Sequence, residues 1–278
     1  MDSIKETYIY DGKLFLVRKL PENKNVTYDF EKDDDVAWFT YTSNLGYFGQ
    51  PQISAAITTY DNKGQKTLFS TGPWWVDSNH VEPGMETGNL SLLFILTATP
   101  QPPWTRAFCP QICYPQLHGM KIQGSLRGAN IDLKGAELVF WCQFKNPDTQ
   151  MNYNYVLSGQ PLTQYLLSGE TEDFELNLDC FDDAQWTALG ACERKKHLYQ
   201  KGSIRESISN CDIVNMGFIV SPFPLNYIWQ DKKPEQALEQ INQTGDYWPV
   251  DTSQLPQGTV ALSKLKITFN TEYEVSAK

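Results

Sequence analysis

Three kinds of side chain in this sequence have types and spacings that chemistry can use. Thiol and imidazole groups are one. Cys109 and Cys113 form a CPQIC pair with His118 five residues on, and only three histidines exist, His80, His118 and His197. A structural zinc site usually shows two close ligand pairs; this stretch offers one pair and a single His, so a fourth ligand must come from elsewhere. A nucleophilic site needs a base beside its nucleophile and a third group to orient the base, and the sequence contains no GxSxG elbow. Zinc, a disulfide within 109–113 and free thiols packed in a Pro-rich loop remain the alternatives. Without a signal peptide, reduced thiols are the default for all six cysteines.

Carboxylates are the second kind. Glycoside hydrolysis uses two of them at a set separation. Glu137 lies at the head of one apolar run, and Glu172, Asp173, Glu175 and Asp179 lie in EDFELNLD. In that segment the acids alternate with Phe174, Leu176 and Leu178, the pattern of a solvated strand face. Asp33-Asp34-Asp35 and Asp182-Asp183 are compact acidic clusters without the spaced oxygens and glycine of an EF-hand loop. There is no P-loop or GxGxxG. Arg194-Lys195-Lys196 is the one basic cluster of note and reads as a solvated face. No metal, cofactor or catalytic residue is therefore expected.

Aromatic residues are the third kind. The chain holds eight Trp, fourteen Tyr and fourteen Phe. Trp74 and Trp75 follow Gly72-Pro73, Tyr153 and Tyr155 alternate with Asn152 and Asn154, and Trp141 sits in LRGANIDLKGAELVFWCQF (126–144). There Leu138, Phe140, Cys142 and Phe144 point one way, and Val139, Trp141 and Gln143 the other. A Trp on the second face is either covered core or part of a surface that stacks a flat ligand. Sugars present CH-rich faces to such rings and hydroxyls to amides, and binding sites mix apolar walls with a few polar groups.

Elements that position these residues read as strands. Apolar or alternating runs at 13–20, 36–42, 53–60, 65–70, 90–98, 120–128, 136–144, 152–159, 172–179, 216–223 and 259–269 are separated by turn residues. Arg127-Gly128 and Lys134-Gly135 read as two turns. Residues 191–200 and 234–243 read as short helices, the second opened by Pro234. Many strands and few helices predict an all-β fold, a jelly-roll-type β-sandwich with a few short helices in loops. One domain over 1–278 is expected, with a sub-division near the Pro-rich residues 99–119 as the alternative. At this length about three quarters of the unfolded surface is buried on folding, so neither disulfide nor metal is needed for stability.

Net charge is −10, from 23 basic and 33 acidic residues. That argues against nucleic acid and anionic membrane as partners, since both select basic surfaces. No apolar segment has the length of a transmembrane helix, and the N-terminus shows no h-region. A cytoplasmic or non-classically exported protein is expected.

One resemblance goes further. The strand ending in LRG, the link to LKGAELVFW and the following YVLSGQPL resemble the second half of galactose-binding-like and carbohydrate-binding-module jelly rolls, over roughly residues 120–225 and the last strand. Families of this kind bind glycans on a concave sheet face or at loop tips without catalysis. The resemblance implies ligand-binding roles for Trp141, Gln143, Arg127 and Tyr155, to which the paired Trp74 and Trp75 add a candidate stacking surface. A non-catalytic, lectin-like glycan-binding protein is the first reading. A structural or interaction protein docking on another protein is the second, and a two-carboxylate hydrolase the third.

Overall fold

A computed structural model shows an all-β sandwich of the jelly-roll type. It describes residues 117–223 and 252–268 without interruption. Elsewhere it describes the strands named below, Gly64, Gly72–Trp74, His80, Lys233, Glu235, Gln236, Glu239 and Gln243, with side chains from Gly64 onward except at 89, 95–97, 209, 210, 212, 252, 276 and 277. In chain order the strands are β1 (Ile4–Tyr10), β2 (Lys13–Arg18), β3 (Asn25–Tyr28), β4 (Trp38–Thr42), β5 (Gln52–Ala55), β6 (Ile57–Tyr60), β7 (Lys66–Thr71), β8 (Val76–Asp77) and β9 (Asn89–Thr97). Then come β10 (Met120–Asp132), β11 (Glu137–Lys145), β12 (Asn152–Val156), β13 (Glu172–Leu178), β14 (Thr187–Leu189), β15 (Asp212–Phe223), β16 (Gln257–Thr268) and β17 (Ser276–Ala277). Two helices are named, α1 (Gln164–Leu167) and α2 (Ile204–Asn210).

Two sheets make the sandwich. The smaller runs β13-β10-β16-β7-β6 with β3 also on β16; the larger runs β14-β12-β11-β15-β9-β4-β5 with β8 also on β9. A three-stranded sheet joins β1, β2 and β17. Strands from both sides of residues 99–119 pair with one another, β9 with β15 and β7 with β16. Among the described residues no helix is long and apolar enough to cross a membrane.

Alternation along each strand decides what the sandwich encloses. Ile122 and Leu126 of β10, Phe174, Leu176 and Leu178 of β13, and Leu262, Leu265 and Ile267 of β16 meet Leu138, Phe140, Cys142 and Phe144 of β11 in one buried cluster. Aromatic rings cross edge-to-face inside it, Phe140 to Phe218 at 6.1 Å and Phe174 to Phe218 at 5.9 Å, the geometry ring quadrupoles favour. Cys142, Cys180, Cys192 and Cys211 are buried free thiols. Burial pushes Cys142 and Cys180 well above the ordinary thiol range, so they act as small apolar groups.

Two local expectations are corrected. Arg127-Gly128 is not a turn, because β10 runs through it to Asp132. Gly128 answers a different need: a Cβ there would lie 2.3 Å from the Leu166 carbonyl oxygen, so the missing side chain lets α1 pack against the strand. Lys134-Gly135 is a turn, with φ of 57° and 82°, and Asp132 fixes it by accepting the Lys134 N–H. Residues 191–200 are not a helix. They form successive turns, with Lys195 and Lys196 N–H both donating to the Cys192 carbonyl. Within 234–243, Glu235, Gln236, Glu239 and Gln243 are helical, and the Gln236 side chain accepts the Lys233 N–H, half of a capping box.

Candidate functional site

The outer face of β11 changes character along its length. Outward residues Val139, Trp141, Gln143 and Lys145 pass from aliphatic to aromatic, to amide, to charged. Each heads a row across the sheet. Val139 faces Ile219 of β15, which faces Leu92 of β9. Trp141 lies between Val156 of β12 and Gly217 of β15. Gln143 lies between Asn154 of β12 and Asn215 of β15, so three carboxamides stand side by side on three adjacent strands.

Burial divides these rows. Leu90, Leu92, Val139, Trp141, Val156 and Ile219 form a second buried cluster, against which half-buried Leu189 packs. Trp141 is 5% exposed and Asn154 1%. The face is thus covered, not open, and Trp141 is packed in it.

Within the amide row the bonding is uneven. Asn215 Nδ2 donates to Gln143 Oε1 at 2.7 Å, and the Gln143 amide acts on the Tyr199 hydroxyl against the burial that raises its pKa. Asn154 Oδ1 and Nδ2 and Trp141 Nε1 are buried without a hydrogen-bond partner among the described residues. An unmet buried polar group costs roughly 1–3 kcal/mol, so native folds keep few of them. Asn154 has two, one donor and one acceptor.

A cover over this face comes from the chain after β14. That strand places Leu189 opposite Asn154. The chain turns away through residues 190–197 and returns to β12, where Leu198 O accepts from Asn152 N–H at 2.7 Å and Gln200 N–H donates to Asn152 O at 2.9 Å. Tyr199, between those two anchors, turns its side chain to Gln143. Its ring meets His80 edge-on at 5.0 Å. His80 Nδ1 donates to the Gly190 carbonyl at 2.9 Å, and Nε2 lies 3.8 Å from Asp77 Oδ2. Asp77 faces Leu90 across β8 and β9. His80 thus links Tyr199 to Asp77 of β8, which pairs with Leu90 of β9. Burial pushes the Tyr199 hydroxyl up to about 12, so it stays a neutral phenol.

Of the six residues singled out from the sequence, the structure brings two together, Trp141 and Gln143. Trp74 is fully buried, its Nε1 donating to Ser70 Oγ at 2.8 Å. Tyr155 is 1% exposed and points into the sandwich, where its hydroxyl meets the Ser203 carbonyl at 3.1 Å and Ser207 Oγ at 2.7 Å. Arg127 belongs to the other sheet and donates to the Gly169 carbonyl at 3.1 Å. Trp75 lies outside the described residues, as do Cys109, Cys113 and Asp33-Asp34-Asp35. Sequence reading missed Asn154, Asn215, Tyr199 and His80. A usable signal existed for Asn154: it alternates with Tyr153 and Tyr155, so with those inward it must share the Trp141 face.

Other constellations are dispersed. Glu137 and Glu175 sit on different sheets; Glu137 accepts from Thr163 Oγ1 and Glu175 pairs with Lys121 at 2.9 Å. Asp182 caps a short turn, accepting from the Ala184 N–H. Among the described residues no three His, Cys, Asp or Glu side chains gather where they could share a metal ion.

No known protein family matches the chain, and no curated protein matches it. Among solved structures it is similar to the xylan-binding module CBM15, at 9% sequence identity and a TM-score of 0.31, over 89% of this chain and 97% of that one. That is a weak, carbohydrate-binding-module-like likeness.

Proposed function

We propose that this sandwich binds a carbohydrate without transforming it, at the amide row of its larger sheet. The observation that carries the reading is Asn154, a buried carboxamide with both its donor and its acceptor unspent among the described residues. A sugar hydroxyl is a donor and an acceptor at once, so vicinal hydroxyls can satisfy both ends of an amide. Gln143 and Asn215 extend the row in the direction of a second hydroxyl pair, and Trp141 supplies a flat apolar neighbour one row away. In this reading Gln143, Asn154 and Asn215 make the polar contacts, and Trp141, packed in the covered face, lines the row beside them.

The test is a glycan array of neutral plant, microbial and animal saccharides, followed by calorimetry on whichever oligosaccharide the array returns. Binding by the wild type that falls at least tenfold in Asn154→Ala, without a change in sheet content by circular dichroism, supports the reading. Wild-type protein that retains no saccharide sinks it. Retention unchanged in Asn154→Ala moves the site elsewhere.

A further inference from the structure

We infer that the sugar taken up at the amide row carries an acyl group, an N-acetyl or O-acetyl substituent, whose carbonyl oxygen accepts from Trp141 Nε1 and Asn154 Nδ2. This rests on the carbohydrate reading above and names the substrate class of the same site.

The unmet atoms carry it. On the outer face of the larger sheet three buried side-chain atoms have no hydrogen-bond partner among the described residues: Trp141 Nε1, Asn154 Nδ2 and Asn154 Oδ1. Register places the two residues together. Trp141 pairs with Val156 and Gln143 with Asn154, so Trp141 and Asn154 are diagonal neighbours on adjacent strands. Such neighbours lie about 7–8 Å apart, within reach of an aromatic side chain. Both nitrogens only donate. Two donor atoms therefore stand against one acceptor.

That imbalance selects the group. A hydroxyl that accepts from either nitrogen brings a hydrogen of its own, which needs a further acceptor. Trp141 is clustered with Leu90, Leu92, Val139, Val156, Leu189 and Ile219, and none of those side chains accepts. A carbonyl oxygen accepts twice and brings no hydrogen, so one acyl oxygen serves both nitrogens. Its methyl group suits the aliphatic cluster, and a free hydroxyl beside it on the sugar donates to Asn154 Oδ1. A uronic carboxylate also accepts twice, yet it would carry a charge among aliphatic side chains, which costs far more than a neutral carbonyl.

Burial orients the sugar. Trp141 is 5% exposed and Asn154 1%. Gln143 and Asn215 in the same row are half-buried, as are Lys145 and Asn152 one row further. The pyranose ring therefore belongs on the half-buried side, over Gln143 and Asn215, with a slender arm directed to the buried atoms. A ring oxygen also accepts without donating, but to reach Trp141 it would have to bury the whole ring.

The test is a glycan array of matched saccharides that differ only in an N-acetyl or an O-acetyl group, spotted in duplicate, with one copy treated with alkali to remove esters. Calorimetry then gives the affinity ratio within each matched pair for wild type and Trp141→Phe, with melting curves on both. The expected result is a preference of about tenfold or more for the acylated partner, the size of effect that follows when buried donors are left unmet. Alkali removes retention where the group is an ester and spares it where the group is an amide, which separates the two sources. Trp141→Phe keeps a ring and deletes one donor, so it should narrow the preference several-fold, whereas a merely weakened fold lowers both affinities alike. Equal affinity for both partners in the wild type overturns the acyl group while the carbohydrate reading stands, whether or not Trp141→Phe folds. A preference undiminished in folded Trp141→Phe overturns the part given to Trp141 Nε1. No saccharide retained by the wild type overturns both readings.

Discussion

The two sheets show opposite solutions for their outward faces. On the smaller sheet the outer residues of β10 and β13, apart from the buried Ser125, are exposed or half-exposed and bonded to one another. Lys121 pairs with Glu175 at 2.9 Å, Gln123 donates to Glu175 at 2.8 Å and Asn177 to Glu175 at 3.2 Å. Ser125 donates to Asp173, and Arg127 to the Gly169 carbonyl. Water can serve whatever remains, so the face is self-sufficient. On the larger sheet the outer face is covered, and its amide row holds polar atoms with no hydrogen-bond partner among the described residues. Polarity alone does not mark a site. An exposed polar ladder costs little and offers little, whereas a buried amide left unmet is a standing cost that a ligand can relieve.

The contrast breaks first at Trp141. Trp141→Ala deletes the largest side chain of the second cluster and should cost about 3–5 kcal/mol in urea unfolding, the usual range for a buried Trp. Arg127→Ala on the other sheet should cost under about 1 kcal/mol, since its one bond is to a partly exposed carbonyl. Equal, small effects would mean that the cover over Trp141 is not packed in solution.

Next in size is Asn154→Leu, whose predicted sign is unusual. Replacing an unmet buried amide by an apolar group of similar volume should raise stability by roughly 1–3 kcal/mol, while sugar binding is lost. A rise in the urea midpoint together with loss of binding is the signature of a residue kept for function. A fall in stability would show that Asn154 has partners in solution, and would remove the observation on which the proposed function stands.

How much of this was legible in sequence follows from what each pattern constrains. Alternation in β11 and β13 named the inward residues correctly, because period two leaves only two faces and one is strongly apolar. The same alternation could not say whether the second face is covered, since cover comes from chain distant in sequence: His80 and Tyr199 lie more than fifty residues from Trp141. Gly128 read as a turn because glycine signals both turns and close approach, and only the position of α1 separates the two. Residues 191–200 carry good helix formers, yet the chain is pulled into turns by its ties to Asn152. Arg127 and Tyr155 joined Trp141 on the strength of a pattern shared along the chain; the fold sends one to the opposite sheet and the other into the core. Their proposed roles rested on side-chain type, which carries no information about face.

A smaller effect separates the ends of the two sheets by pH. His118 sits after the Pro-rich stretch, beside the end of β13. Its Nδ1 accepts the Cys180 N–H at 3.3 Å, its ring lies 4.0 Å from that of Phe181, and Asp179 Oδ1 is 3.5 Å away. Burial lowers its pKa below the ordinary 6.5, an influence that Asp179 opposes and Arg205 reinforces. The folded state therefore takes up this proton less readily than the unfolded chain. Stability from this group is present above 6.5 and is lost as pH falls through that value toward the lowered one. His118→Gln should flatten the urea-midpoint profile in that interval, leaving the carboxylate-driven loss at lower pH. A variant profile as steep as the wild type would assign the slope to other groups.

Smallest of all is Glu175→Gln. Glu175 receives Lys121, Gln123 and Asn177, and these bonds hold its carboxyl below the usual range. On an exposed face water replaces what is lost, and exposed pairs contribute little. Neither the urea midpoint nor sugar affinity should move measurably. The result matters more than its size suggests. Three partners on one carboxylate look, on a contact map, more like a site than Asn154 does with none. If Glu175→Gln weakened sugar binding, the outer face of the smaller sheet, with Arg127 on it, would become the better candidate, and the unmet amide would have to be read as a cost of packing instead of a place for a ligand.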